Sequence, residues 1–112
     1  MILEKTDIRG ILFDNITFSD AVSAAEYAID EKRQTAVHTP NAEILQKCIE
    51  EKEMRDIVSS AELILPDGAG ILLAAKILGT PIKEKIAGVE FGEKMLELAA
   101  KKGLANVSMN MI

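Results

Sequence analysis

Asp67 is the residue whose surroundings in the sequence point most directly to chemistry. Leu63-Ile64-Leu65 reads as a short buried strand, and Pro66 stops it while holding Leu65 extended. Asp67-Gly68 then turns the chain into the apolar, helix-compatible run from Ile71 to Leu78. This spacing leaves a carboxylate on a tight turn at the end of a strand, beside a helix N-terminus. In open α/β sheets that edge is where ligands bind, and a carboxylate held there can act as a base. Thr39-Pro40-Asn41 falls at a second junction of the same kind, after the strand-like Thr35-Ala36-Val37-His38-Thr39. Its hydroxyl and amide are suited to orienting sugar hydroxyls or a phosphate. The same side chains are equally suited to capping, Thr39 or Asn41 for one helix and Asp67 for the next. Spacing alone leaves both uses open.

Other candidates are weaker. Asp-Gly is also a hairpin signal, but an apolar helical run follows it here instead of an alternating strand. Gly68-Ala69-Gly70 begins like a dinucleotide fingerprint, yet the third glycine position is Leu73 and no acidic residue is placed to hold a ribose. His38 is the only histidine. With no second histidine and no cysteine near it, it reads as a satisfied core or edge residue, and no metal or cofactor is expected. Cys48 lies among Ile44, Leu45 and Ile49 and reads as a buried structural thiol. Lys83 and Lys85 lie in a connecting segment from which they could meet a diphosphate, or they are plain surface lysines.

The elements that must position these residues follow from apolar spacing and punctuation. Ile8 to Ile16 reads as a strand or small hairpin around a turn-like Asp14-Asn15. Ser19-Asp20 signals a helix start, and Ala21, Ala25, Ala28 and Ile29 recur on one helical face. After the strand at Thr35–Thr39, a helix runs from Ala42 to Ile49, and Met54, Ile57, Val58 and Ala61 mark a second short one. Gly79-Thr80-Pro81 ends the helix that starts after Asp67. Phe91, Met95, Leu98 and Ala99 make a further helical stripe, closed by Lys101-Lys102-Gly103. One more strand is then expected, where Leu104 to Ile112 alternates weakly. This alternation of strand and helix argues for α/β architecture, a mostly parallel sheet covered by helices on both faces, in one domain over residues 1–112.

Composition narrows the function classes. The 112 residues are 48% hydrophobic and only 4% aromatic, without tryptophan, so the core is aliphatic and stacking platforms for single-stranded nucleic acid are scarce. A net charge of −5 argues in the same direction, and no nucleic-acid partner is expected. A single cysteine excludes an intrachain disulfide and fits a reducing cytoplasm. No basic-then-apolar leader and no run of membrane-spanning length is visible, so the chain reads as cytoplasmic.

Two motifs in register carry a family resemblance. His38-Thr39-Pro40-Asn41-Ala42-Glu43-Ile44 resembles the "TPN-A-E" signature of the WecG/TagA/CpsF glycosyltransferases (glycosyltransferase family 26), and Leu65-Pro66-Asp67-Gly68-Ala69-Gly70 resembles their "P-D-G-x-G" motif. Glu84-Lys85-Ile86-Ala87-Gly88 and the Ile8-to-Ile16 segment match in order, so the resemblance covers roughly residues 8 to 104 and is closest to the TagA branch. It implies a Rossmann-like fold and a metal-independent, inverting transfer. N-acetylmannosamine would pass from its UDP derivative to N-acetylglucosaminyl-diphospho-undecaprenol, in wall teichoic acid synthesis. On this resemblance Asp67 matches the general base, while Thr39, Asn41, Gly68 and Lys85 match substrate-binding positions. A homo-oligomer peripheral to the inner face of the cell membrane is expected.

The chain departs from the family in two respects. Lys85 stands where many members have arginine, which keeps the charge and loses the bidentate fork. Members run to about twice this length, and Asn106-Val107-Ser108-Met109-Asn110 no longer resembles them. The expectation is therefore a shortened product that lacks the C-terminal half and much of the nucleotide side of the cleft. The alternative reading is a non-catalytic α/β module that binds a nucleotide or a partner through the same edge.

Overall fold

The computed structural model describes residues 3–31, 35–102 and 109–111, with backbone alone for residues 35 and 109–111. Strands β1 (Lys5–Ile8) and β2 (Ile11–Asp14) form an antiparallel hairpin whose two-residue turn is Arg9-Gly10. Both turn residues have positive φ, 54° and 94°, as a type I′ hairpin turn requires. Asp7 Oδ1 accepts a bond from the Gly10 N–H at 2.8 Å. The turn therefore does not fall at Asp14-Asn15, where the sequence suggests it. Those two residues are buried instead, and their polarity is used for long-range hydrogen bonds.

Helix α1 (Phe18–Asp30) begins two residues before the position signalled by Ser19-Asp20, because Thr17 is the cap and its hydroxyl accepts from the Asp20 N–H. Its face toward the core is Ala21 and Ala25, with Ala28 and Ile29 half-buried, as their spacing predicts. Strand β3 (Thr35–His38), helices α2 (Ala42–Glu50) and α3 (Lys52–Ser59), strand β4 (Leu63–Ile64) and helix α4 (Ala69–Ile77) follow. Helix α4 ends in a Schellman motif. Gly79 at φ 76° lets the Thr80 N–H reach the Ala75 carbonyl and the Gly79 N–H reach that of Lys76. Helix α5 (Gly88–Lys101) and strand β5 (Met109–Met111) complete the order. Gly103 and Leu104 to Ser108, part of the expected last turn and strand, lie outside the described residues.

The sheet is parallel in the order β4-β3-β5, with Val37 beside Leu63 on one side and Met111 on the other. Its residues alternate between two apolar clusters, as the pleat dictates. Ile64 joins Ile8, Ile11 and Phe13 of the hairpin, Leu45 and Cys48 of α2, Val58 of α3, and Ile71 and Ala75 of α4. Val37, Leu63 and Leu65 join Ala21 and Ala25 of α1, Ile86, and Phe91 and Met95 of α5. Helices thus cover both faces, and the α/β architecture expected from the alternation is present. Its described sheet is shorter than a Rossmann-like fold implies, at three strands. Because β3 has later strands on both sides, the chain reverses its winding direction there, and in open α/β sheets such a reversal marks the edge where ligands bind.

Candidate functional site

Strands β3 and β4 end in the same way. Thr39-Pro40 follows one and Leu65-Pro66 the other, and both prolines are fully buried. The Leu65 N–H donates to the His38 carbonyl at 2.9 Å, which holds the two strand ends level. The residues after each proline, Asn41 and Asp67, therefore emerge on one edge. This is the convergence that the two motifs predict.

Of the two caps that spacing allows, the one for α2 is made and the one by Asp67 for α4 is not. Asn41 caps α2, its Oδ1 accepting from the Ile44 N–H at 3.0 Å. Thr39 lies two residues before that cap and is buried. Asp67 does not cap α4. Gly68 occupies that position with φ 92° and no side-chain cap is made. The Asp67 carboxylate instead reaches across to a helix far along the chain, accepting from the Gly88 N–H in the first turn of α5 at 3.4 Å.

Two glycines without room for a side chain bring the helix starts together. A Cβ at Gly70, in the first turn of α4, would stand 2.8 Å from the Ala42 Cβ at the start of α2. A Cβ at Gly88 would stand 2.7 Å from Thr39 Oγ1 and 3.3 Å from Asp67 Oδ2. The Thr39 hydroxyl and the Asp67 carboxylate thus border one small space at Gly88, ringed by the N-termini of α2, α4 and α5. Helix N-termini carry unpaired N–H groups and partial positive charge, so this edge favours an anionic ligand. The Gly88 N–H also fixes the orientation of the Asp67 carboxylate.

Lys85 is exposed in the connection between α4 and α5. Its neighbour Ile86 is buried, and the Ile86 N–H donates to the Pro66 carbonyl at 2.7 Å, one residue before Asp67. The structure therefore brings the backbone at Lys85 to the Pro66-Asp67 turn. Lys83 pairs with Glu4 at 2.9 Å, and that partner raises its pKa above the ordinary lysine value. It is a surface lysine with an acidic neighbour. His38 is buried with Nδ1 3.1 Å from the Val58 carbonyl, so that nitrogen carries the proton and the ring is a satisfied core group. Cys48 is buried, and burial raises its thiol pKa against an opposing pull from Arg55. Among the described residues no group of three or more His, Cys, Asp or Glu side chains is gathered as a metal site would need.

Sequence reasoning missed Gly88. It appeared only as the last residue of the Glu84-to-Gly88 segment that matches the family in order, with no role of its own, whereas it starts α5 and lies against both motif residues. A glycine in the first turn of a helix, where it lowers helix propensity, was the available signal.

Comparisons with known proteins bear on this arrangement. Residues 6–109 match the family model described as the glycosyl transferase WecG/TagA/CpsF family. That match runs past residue 104 and takes in most of the segment whose sequence no longer resembles the family by eye. The chain is similar to the N-acetylglucosaminyldiphosphoundecaprenol N-acetyl-beta-D-mannosaminyltransferase of Bacillus subtilis, 28% identical over 101 residues that cover 89% of this chain and 40% of the relative. Proteins of the same name are similar in Bacillus spizizenii, at 31% over 66% of this chain and 29% of the relative. In Staphylococcus aureus the figures are 28% over 85% and 38%. The chain spans about 40% of the length of the curated relatives it matches.

Proposed function

The chain belongs to the glycosyl transferase WecG/TagA/CpsF family, and on that premise we propose that it forms part of an inverting N-acetylmannosaminyltransferase. The donor is UDP-N-acetylmannosamine and the acceptor N-acetylglucosaminyl-diphospho-undecaprenol, in wall teichoic acid synthesis. The observation that carries this reading is the meeting of Thr39, Asp67 and Gly88 at the edge where β3 and β4 end. The names of the relatives supply the acceptor and the transferred sugar, and the family resemblance supplies the UDP carrier.

In this reaction Asp67 accepts the proton of the acceptor hydroxyl as that oxygen attacks the anomeric carbon of the donor sugar. The bond from that carbon to the diphosphate oxygen breaks on the opposite face, and UDP departs with the electron pair. No metal is required in this scheme, because the positive ends of three helices and the charge of Lys85 offset the developing negative charge. Thr39 and Asn41 orient the sugar. Asn41 Oδ1 is occupied by the Ile44 N–H, so its amide nitrogen is the group offered to substrate. Gly68 allows the tight turn that brings backbone N–H groups close to the ligand.

The lipid-linked acceptor places the work at the cytoplasmic membrane surface. Among the described residues no helix is long and apolar enough to cross a membrane. Self-association belongs to the same proposal, supported by the exposed Leu73 and Ile77 on α4, and sedimentation velocity measures it.

The test is transfer by the full-length gene product to a short-chain lipid-diphosphate acceptor, with and without EDTA. A β-linked disaccharide formed equally in both supports the reading. Hydrolysis without transfer, an α-linked product, or dependence on added metal contradicts it.

A further inference from the structure

The connection between α4 and α5 carries Lys85 and delivers Gly88 to Asp67, yet it has no regular secondary structure to hold it. Its polar groups are tied down piece by piece, mostly through the backbone. Asn15 Nδ2 donates to the Pro81 carbonyl at 3.2 Å, and Asn15 Oδ1 accepts from the Lys83 N–H at 2.8 Å. Glu84 accepts from the Phe18 N–H at the start of α1, and the Ile86 N–H donates to the Pro66 carbonyl. Asn15 therefore makes two of these ties from a single side chain. It is nearly fully buried, at 5% exposure, and its own N–H is fixed on the Glu4 carbonyl.

The preceding residue holds the other side of the site. Asp14 is fully buried at the end of β2. Its Oδ2 accepts from the Ile64 N–H on β4 at 2.9 Å, and its other oxygen pairs with Lys5. Ile64 is three residues before Asp67, and Lys83 is two before Lys85. Consecutive residues of an extended chain point to opposite sides. One dipeptide can thus grip two segments of the molecule at once, with neither grip touching the space at Gly88.

We propose that Asp14-Asn15 is a positioning pair. Asp14 anchors the strand that carries Asp67, and Asn15 sets where the connection places Lys85 and the Gly88 N–H against it. The inference rests on the catalytic reading of Asp67 only for its functional consequence, and its structural part is read independently of activity. An apolar side chain at position 15 would leave the Pro81 carbonyl and the Lys83 N–H without partners. The local bonds would go first, and then the register of the segment against Pro66 and Asp67.

Amide hydrogen exchange on the 112-residue chain, read by NMR, tests this, with transfer kinetics on the full-length gene product as a second readout. In Asn15→Ala the amides of Ile86 and Gly88 should exchange at least tenfold faster than in the parent chain. The Leu65 amide, bonded to the His38 carbonyl in the sheet, should keep its protection and so report an intact fold. Asn15→Asp keeps an acceptor for the Lys83 N–H and loses the donor to Pro81, so it should fall between the two. In the kinetic assay, kcat should fall more than acceptor KM rises, because Lys85 and the Gly88 N–H are misplaced against Asp67 rather than removed. The proposal is overturned if either variant protects Leu65, Ile86 and Gly88 as the parent does. If exchange responds while neither parent nor variant transfers sugar, the positioning role stands and the enzymatic reading fails.

Discussion

Replacing Gly88 by alanine probes the closest approach in the site. In a helix the exchange of glycine for alanine ordinarily stabilises, by about 0.5–1 kcal/mol. Here the new Cβ would stand 2.7 Å from Thr39 Oγ1, where ordinary contact begins near 3.4 Å. Thr39 is buried beside the fully buried Pro40, so its hydroxyl cannot swing into solvent. Either the threonine leaves its rotamer, at about 0.5–1.5 kcal/mol, or α5 withdraws. Withdrawal gives up the bond from the Gly88 N–H to Asp67, which at 1.5–3 kcal/mol for a charged acceptor is the larger loss, though its 3.4 Å length puts it at the low end. After the helix-propensity gain, withdrawal leaves a net cost of about 0.5–1 kcal/mol, or roughly 2–8 °C in thermal midpoint for a domain of this size. A displacement of about 1 Å between carboxylate and acceptor would lower the transfer rate roughly 10²-fold. Circular dichroism melts and initial-rate assays read the two effects. Thr39→Ala removes the clashing oxygen, so the double variant should recover stability relative to Gly88→Ala, a non-additivity expected only for side chains in contact. A Gly88→Ala chain that melts higher than the parent and transfers at the parent rate would refute the packing argument.

Three other perturbations bear on the fold that supports the site. Asn41→Ala removes the cap of α2 at an exposed position and should cost about 1 kcal/mol in urea unfolding without abolishing the fold. Asp14→Ala leaves the buried Ile64 N–H without its acceptor and should cost about 2–3 kcal/mol, more than any surface ion pair, as read in the same titration. Cys48 supplies a pH test with a defined sign. Its folded pKa is raised by burial, so the unfolded chain releases the thiol proton first as pH rises. Stability is then lost above the ordinary thiol value of 9.0, and Cys48→Ala should flatten that alkaline decline in denaturant midpoints measured from pH 7 to 10.

The helices were legible in the sequence because their buried faces repeat at helical spacing. Ala21 with Ala25, and Phe91 with Met95, are buried as that spacing requires. Gly79 marked the end of α4 because only a residue at ease with positive φ closes that motif cheaply. The edge bearing Thr39, Asn41 and Asp67 was legible because a proline ends each strand and a polar residue follows it. What local pattern could not reveal is contact between distant segments. Asp14-Asn15 has the composition of a turn, but each side chain is held by a partner at least 50 positions away. Arg9 adopts positive φ because the hairpin register imposes it. Spacing left Asp67 either to cap the helix next to it in sequence or to face a ligand; it meets the helix whose first residue is Gly88, because Ile86 ties that connection to Pro66.

The claim that Asp67 takes the acceptor proton is tested most directly by Asp67→Asn in the full-length gene product. Asparagine keeps the size of the side chain and an oxygen for the Gly88 N–H, and removes the basicity. Single-turnover transfer should fall by about 10²–10⁴-fold, the usual contribution of a general base, with donor affinity within about twofold of the parent and an unchanged thermal midpoint. A variant that transfers N-acetylmannosamine at the parent rate would contradict the account.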